Sequence, residues 1–291
     1  WDEQHKTQVK ESTDYIRKSI IKNRILPTFE NLKVSKIKLP YCQNYINELS
    51  EEYARKYVHT IKGIIIQVLD YAVKMEIIPT NYMKLTRIPK QTVTKEKKFY
   101  TREELLQFLK IVKENYSSDI YIIFHLLAYT GMRVGELRAL TWKDIDLKNK
   151  TLTINKNMMN VGSKSTVSNT KTKTSERIIF LDDTTIKELK EFRKNSNSFN
   201  ITGRLVNHPK RHYIGSTLKS ILASFPELGK ITPHGFRHTH ATLLFEGGST
   251  PKDVQNRLGH KDITTTLNTY THITEEKNKQ TTAIFEKIMN L

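Results

Sequence analysis

A chain of 291 residues with 48 Lys and Arg against 30 Asp and Glu, a formal net charge of +18, calls for a polyanionic partner. Nucleic acid leads, although a lysine-rich, low-GC genome would also raise the charge. A mean hydropathy of −0.54 without a long apolar run excludes a membrane span, and one cysteine, Cys42, excludes an internal disulfide or a thiolate metal cluster and suits a reducing compartment, the cytoplasm.

The length fits two domains better than one, because single cores stop growing within this range. The chain opens at Trp1 with no Met and no basic-then-apolar leader, which reads as a fragment whose upstream part has been removed. The first ninety residues read as helical. SIIKNRILPTF closes a helix at Pro27, LPYCQNYINELS gives a short helix after Pro40, and Tyr57 to Ile78 repeats Ile61, Ile64, Ile65, Val68, Leu69, Ala72 and Val73 at the spacing of one buried face. Lys6, Lys10, Arg17, Lys18, Lys22 and Arg24 are candidate phosphate contacts, with a solvated helix face as the alternative for each. Leu85 to Phe99 loses the apolar period and reads as a linker, with Lys95, Lys97 and Lys98 placed to follow a nucleic-acid backbone. Its centre, residues 91–98, divides a helical domain over 1–90 from a second domain over 99–291.

Thr101 and Glu104 form a capping box ahead of LLQFLKIV, and Ser118 to Thr130 makes an apolar helix ending at Gly131. His125 inside that helix reads as a core histidine rather than a ligand. MRVGELRALTWKDID reads as a short helix into a strand, and KTLTINKN and ERIIFL are rich in β-branched residues, so a small antiparallel sheet is expected. Asn160 to Ser175 between them, NVGSKSTVSNTKTKTS, reads as a mobile polar loop. Helices return over Asp183 to Lys194, Lys210 to Ala223 and, at the end, Thr274 to Met289. The fold class is mainly α with a small antiparallel sheet.

Four dispersed pieces bring together groups that make a tyrosine a useful nucleophile, which at a phenol pKa of about 10 needs nearby cations. They are TGMRVGEL (130–137), TKTSERIIFL (172–181), HGFRHTHAT (234–242) and LGH followed by NTYTHI (258–260 and 268–273). Singly each is weak. A Gly-Met-Arg after a helix is an ordinary C-cap, and His234 with His238 and Arg237 suggests zinc but has no Cys or carboxylate partner. In this order and spacing they resemble the tyrosine recombinase family, the phage and conjugative-transposon integrases.

The resemblance implies a helical core-binding domain and a mixed helical catalytic domain closing as a C-shaped clamp on duplex DNA. It implies that Tyr270 attacks a phosphodiester and forms a 3′-phosphotyrosine, with Arg133 and Arg237 on the phosphate. Lys173 is the general acid, Lys171 being the register alternative and otherwise a DNA contact. His234 and His260 move protons, and Glu136 orients His234 or an arginine. A planar guanidinium fork suits two phosphate oxygens, and imidazoles exchange protons near neutrality. With cations carrying the charge, no metal and no cofactor is expected. His238 and His240 read as helix packing, and no role is read for His272. The implied partners are double-stranded attachment-site DNA, three further copies in a synaptic tetramer joined through the C-terminal helix, and accessory DNA-bending or directionality factors. That helix packing on its own domain is the alternative. The implied location is cytoplasmic, at the nucleoid. A small arm-binding domain is expected upstream of Trp1. The competing readings are a type IB topoisomerase and a DNA-binding protein without catalysis.

Overall fold

The computed structural model describes residues 1, 9, 11–90, 99–161, 164–169, 176–195, 203–206, 212–270 and 289. The chain divides into two compact units, residues 1–96 with 161–163, and 97–160 with 164–291.

In the first unit, α1 (Glu11–Ile20) runs through a π-helical turn (Ile21–Ile25) into α2 (Leu26–Phe29). Pro27 therefore does not end the helix, contrary to the sequence expectation. Proline removes the N–H at its own position and crowds the carbonyl four residues back, and the wider turn just before it absorbs both. After it come α3 (Leu39–Glu52), with Pro40 in its first turn where the missing N–H costs nothing, and α4 (Arg55–Lys74). Cys42, Ile46, Val58 and Ile61 are fully buried. The Tyr45 hydroxyl donates to Arg24 O at 2.8 Å, tying α3 to the π-helical turn. Val68 of the expected apolar face is instead exposed, while Val73 packs at the edge of the core. The expected linker starts too early. Gln43 bonds both the N–H and the C=O of Arg87, and Ile88 lies in the first core; residues 91–98 lie outside the described residues.

The second unit begins with α5 (Arg102–Asn115), opened by the Thr101–Glu104 capping box, and α6 (Ser118–Thr130). Phe108, Phe124 and Phe236 meet at ring-centroid distances of 5.1 to 5.6 Å and anchor the core. A short α7 (Val134–Ala139) leads to β1 (Ile145–Asp146) and β2 (Thr151–Ile154). The next two strands, β3 (Lys156–Val161) and β4 (Lys164–Asn169), pair in a two-stranded sheet that takes in residues 160–161 and 164–169 of the stretch expected to be a mobile loop, the rest of which lies outside the described residues. Polar Asn, Ser and Thr hide this from composition, yet one side of β3 is buried through Met158, and packing of that kind overrides weak local propensity. β5 (Arg177–Phe180) completes a three-stranded antiparallel sheet in the order β1-β2-β5, with Leu152 opposite Ile179 and Ile154 opposite Arg177. The strand alternation turns Ile178 and Phe180 outward and Arg177 inward with Ile179.

Then follow α8 (Asp183–Asn195), α9 (Tyr213–Ser224), α10 (Gly235–Glu246), α11 (Pro251–Leu258) and α12 (Ile263–Tyr270). The expected terminal helix lies outside the described residues apart from Met289. Among the described residues no helix is long and apolar enough to cross a membrane.

Two histidines belong to the core. His125 bonds Thr185 Oγ1 at 3.1 Å and stacks on Tyr129 at 4.2 Å. The His240 ring lies between Ala128 O at 2.8 Å and the Arg257 Nε–H at 3.0 Å, so Nδ1 donates and Nε2 accepts. Burial pushes their pKa values down from 6.5 to about 4 and about 3. Both therefore stay neutral in the fold at pH values where the unfolded chain takes up protons. Stability is complete well above pH 6.5 and is lost as pH falls from there toward 4 for His125 and toward 3 for His240, by about 2 kcal/mol for each histidine at about pH 5. Urea unfolding at pH 7 and 5 measures this, and an unchanged free energy would refute it.

Candidate active site

Two left-handed turns set the geometry. α6 stops at Gly131, whose φ is +63°, and α11 stops at Gly259, whose φ is +66°. Only glycine takes this conformation without strain. A Cβ at Gly131 would lie 2.6 Å from Leu258 Cδ2 and 2.8 Å from His240 Cδ2. Gly131→Ala should therefore lower the unfolding free energy by about 2–4 kcal/mol, from backbone strain plus overpacking. A shift in the urea midpoint checks it, and one near zero would mean that the turn relaxes freely.

Arg237, on α10, joins these turns. It is 2% exposed, and its two terminal nitrogens donate to Gly131 O at 2.8 Å and Leu258 O at 2.7 Å. Its Nε–H is buried without a partner among the described residues. Burial, then the charge of Arg133, pushes its pKa down to about 9, which leaves it a cation at neutral pH. Charged donors bound to carbonyls form the stronger class of hydrogen bond, so the two chain reversals are held in register across more than a hundred residues of sequence.

Each reversal delivers a side chain of the family motifs. Two residues after Gly131, Arg133 caps α7: its N–H donates to Glu136 Oε2 and its Nη1 to Glu136 Oε1, both at 2.8 Å, while Nη2 reaches Gly259 O at 3.3 Å. One residue after Gly259 comes His260, whose Nδ1 lies 2.9 Å from the Thr266 hydroxyl. His234 precedes α10 and meets His238 edge to face at 4.9 Å. Burial, followed by neighbouring positive groups, lowers His234 to about 4 and His260 to about 3. Both are neutral at pH 7 in the protein alone. Tyr270 is the last residue of α12, one helical turn beyond buried Thr266; its side chain lies outside the described part. Lys173, Lys171 and His272 are outside the described residues altogether.

Glu136 is 3% exposed and binds two arginines. Besides Arg133 it accepts from Arg177, Nη1 to Oε1 at 3.2 Å and Nη2 to Oε2 at 2.8 Å. Burial alone would raise its carboxyl, but the hydrogen bonds and charge of Arg177, with the help of Arg133, hold it below the ordinary carboxylate value. No bond joins Glu136 to His234 among those described, so of the two options open in the sequence the arginine is the one present. Arg177 and Arg257 are the residues that motif reading passed over. Arg257 donates to His240, Phe180 O and Tyr129 O. A signal for Arg177 existed: in a strand of alternating burial it shares the inward parity of Ile179.

The cations expected on DNA in the first unit divide. Arg17 is buried over the Trp1 ring at 5.3 Å, on the face that also buries Asp14 and Ile20. The expectation of a phosphate contact fails there, because the i, i+3 spacing carries Arg17 inward with Asp14 and Ile20. Lys18 pairs with Asp14 at 3.1 Å and Arg24 lies over Tyr53 at 4.7 Å, while Lys22 is exposed. Lys6, Lys10, Lys95, Lys97 and Lys98 fall outside the described residues. Among the described residues no group of three His, Cys, Asp or Glu side chains could hold a metal ion.

Comparison with known proteins identifies the family. Residues 98–277 match the phage integrase family and residues 1–50 the phage integrase N-terminal SAM-like domain. The chain is 32% identical to the integrase of Staphylococcus phage L54a over 94% of this chain and 86% of that protein. It is 28% identical to the ICEBs1 integrase of Bacillus subtilis, over 91% and 74%. In fold it is similar to the Tn1549 transposon integrase solved with a circular intermediate DNA, at a TM-score of 0.79 and 21% identity over 95% of this chain and 96% of that one. A λ integrase tetramer bound to a Holliday junction gives a TM-score of 0.67 at 19% identity, over 90% and 76%. With a family model over more than half its length and an integrase at that identity along nearly all of it, the chain belongs to the phage integrase family of tyrosine recombinases, the site-specific DNA recombination enzymes.

Proposed function

We propose that this recombinase integrates and excises a mobile element by cutting attachment-site DNA with Tyr270. The phenolic oxygen attacks the scissile phosphorus, an O–P bond to Tyr270 forms, and the bond to the 5′ oxygen breaks. Arg133 and Arg237 stabilise the charge gathering on the non-bridging oxygens. Lys173, or Lys171 in the other register, gives a proton to the departing 5′ oxygen, and His234 or His260 accepts the one that Tyr270 loses. The 5′-hydroxyl of a partner strand reverses the step, so bond energy is conserved and no ATP is used.

One observation carries this reading: Arg237 bonds the turn before Arg133 and the turn before His260, which makes one site out of motifs far apart in sequence. In the same reading, residues 1–90 form the core-binding domain and 99–291 the catalytic domain. Lys22 is the best-placed phosphate contact of the first unit, four copies act together through the C-terminal segment, DNA-bending or directionality factors assist, and the enzyme works at the nucleoid. The tetramer is supported by the λ integrase likeness. The test is a nicked duplex carrying the element's junction, from which the cleaved strand cannot be rejoined. A covalent complex with its peptide mapped to Tyr270 is the expected result, and no complex would leave only DNA binding. Relaxation of supercoiled plasmids that lack the junction would favour the topoisomerase reading.

A further inference from the structure

Glu136 poses a physical problem for the site just proposed. A buried carboxylate 2.8 Å from the Arg133 guanidinium is a direct competitor of the phosphate which that guanidinium has to bind. Left alone with Arg133, it would close a fork-to-fork ion pair and cancel the charge needed by the transition state. Arg177 stands on its other side. It gives both terminal nitrogens to the two Glu136 oxygens, whereas Arg133 gives one terminal nitrogen and its backbone N–H. The two guanidinium groups also differ in access. The Arg177 side chain is 6% exposed and the Arg133 side chain 37%. Arg177 is fixed further by its Nε donating to Arg257 O at 2.8 Å, and a Cβ at Gly259 would come within 3.0 Å of its Nη1.

We propose that Arg177 is a positioning residue for strand cleavage, which occupies the Glu136 carboxylate and so leaves the Arg133 guanidinium available to the scissile phosphate. The inference rests on the Tyr270 reading above. Arg177 touches no DNA in this scheme. It acts through Glu136, so its worth depends on the presence of that negative charge. Glu136 for its part holds Arg133 in place by the backbone and one side-chain bond, and Arg177 keeps it from doing more. A purely structural Arg177 would have the same value whether or not position 136 is charged, because its bond to Arg257 O and its packing on Gly259 do not involve Glu136.

The experiment is a double-mutant cycle on adduct formation with the nicked duplex, using the whole chain and DNA concentrations that saturate each variant. Arg177→Gln should slow cleavage by on the order of 100-fold, the scale for losing a group that orients a catalytic partner. In the Glu136→Gln background the same change should cost no more than about threefold, since no carboxylate remains to trap Arg133. A second readout uses a duplex with a methylphosphonate at the scissile position, which removes the negative charge that Arg133 serves. There the penalty of Arg177→Gln should shrink by about tenfold or more. An equal loss in both backgrounds, or on both duplexes, overturns the proposal. Should Arg177→Gln fail to fold, Arg177→Lys goes through the same comparisons, because lysine keeps the charge but lacks the fork. If the unaltered chain forms no Tyr270 adduct, the functional reading falls and takes this one with it. If the adduct forms and the losses are equal, only the role of Arg177 is lost.

Discussion

Tyr270→Phe should abolish the covalent protein–DNA complex, lowering its rate of formation by at least about 10⁴-fold, the scale on which removal of a nucleophile acts. DNA affinity should stay within about twofold, because phosphate contacts dominate protein–DNA affinity and a single phenol oxygen adds little to them. The argument starts from acidity. An unassisted phenol is almost wholly protonated at pH 7, so attack requires a site that favours the phenolate and the pentacoordinate state. The structure supplies such surroundings for α12: Arg133 and Arg177 share the carboxylate of Glu136, Arg237 is held beside them by two backbone carbonyls, and two imidazoles are kept neutral. Gel separation of the protein–DNA adduct under denaturing conditions gives the measurement. Undiminished adduct in the Phe variant would move the nucleophile to another residue.

The second large effect is Arg237→Lys, in which fold and chemistry fail together. Lysine has one nitrogen and cannot bond both Gly131 O and Leu258 O while also facing a phosphate. Losing a buried charge-assisted hydrogen bond of this kind costs about 1.5–3 kcal/mol of stability, and loss of the phosphate donor slows cleavage by about 10³-fold. Arg133→Lys is the informative comparison. The Arg133 side chain is 37% exposed and ties down fewer elements, so cleavage should fall on a similar scale while the urea midpoint moves little. Denaturation and adduct rates measured on the same two preparations decide it. Equal destabilisation by both changes would mean that Arg237 is no more of a structural joint than Arg133.

How much of this could be read from the chain depends on how local each signal is. The Thr101–Glu104 cap and the stop at Gly131 are short-range patterns and lie where the sequence places them, and the apolar period of α4 holds except at Val68, the helix ending at Lys74 rather than Ile78. The inward turn of Arg17 and the outward turn of Val68 were not legible, because a helix with apolar and charged residues on neighbouring faces leaves a half-turn of ambiguity that only the partner helices remove. Composition also misread residues 160–161 and 164–169, which are strand. A strand made of Ser, Thr and Asn is stabilised by its ladder and by what lies beneath it, and neither shows in residue type.

The sequence by itself determined the chemistry on offer and the family: two arginines, two histidines, a glutamate, a lysine and a tyrosine in a fixed order, in a strongly basic chain. Residue types and spacing are covalent facts, so they survive without coordinates. Only the tertiary structure decided which charges meet. It brought the turns at Gly131 and Leu258 together through Arg237, gave Glu136 two arginines instead of one, and drew into the site Arg177, which lies within the TKTSERIIFL piece but carries no role in that motif. The physical reason is that a buried ion must be matched by neighbours in space, and those neighbours come from turns, strand parity and helix packing far apart along the chain.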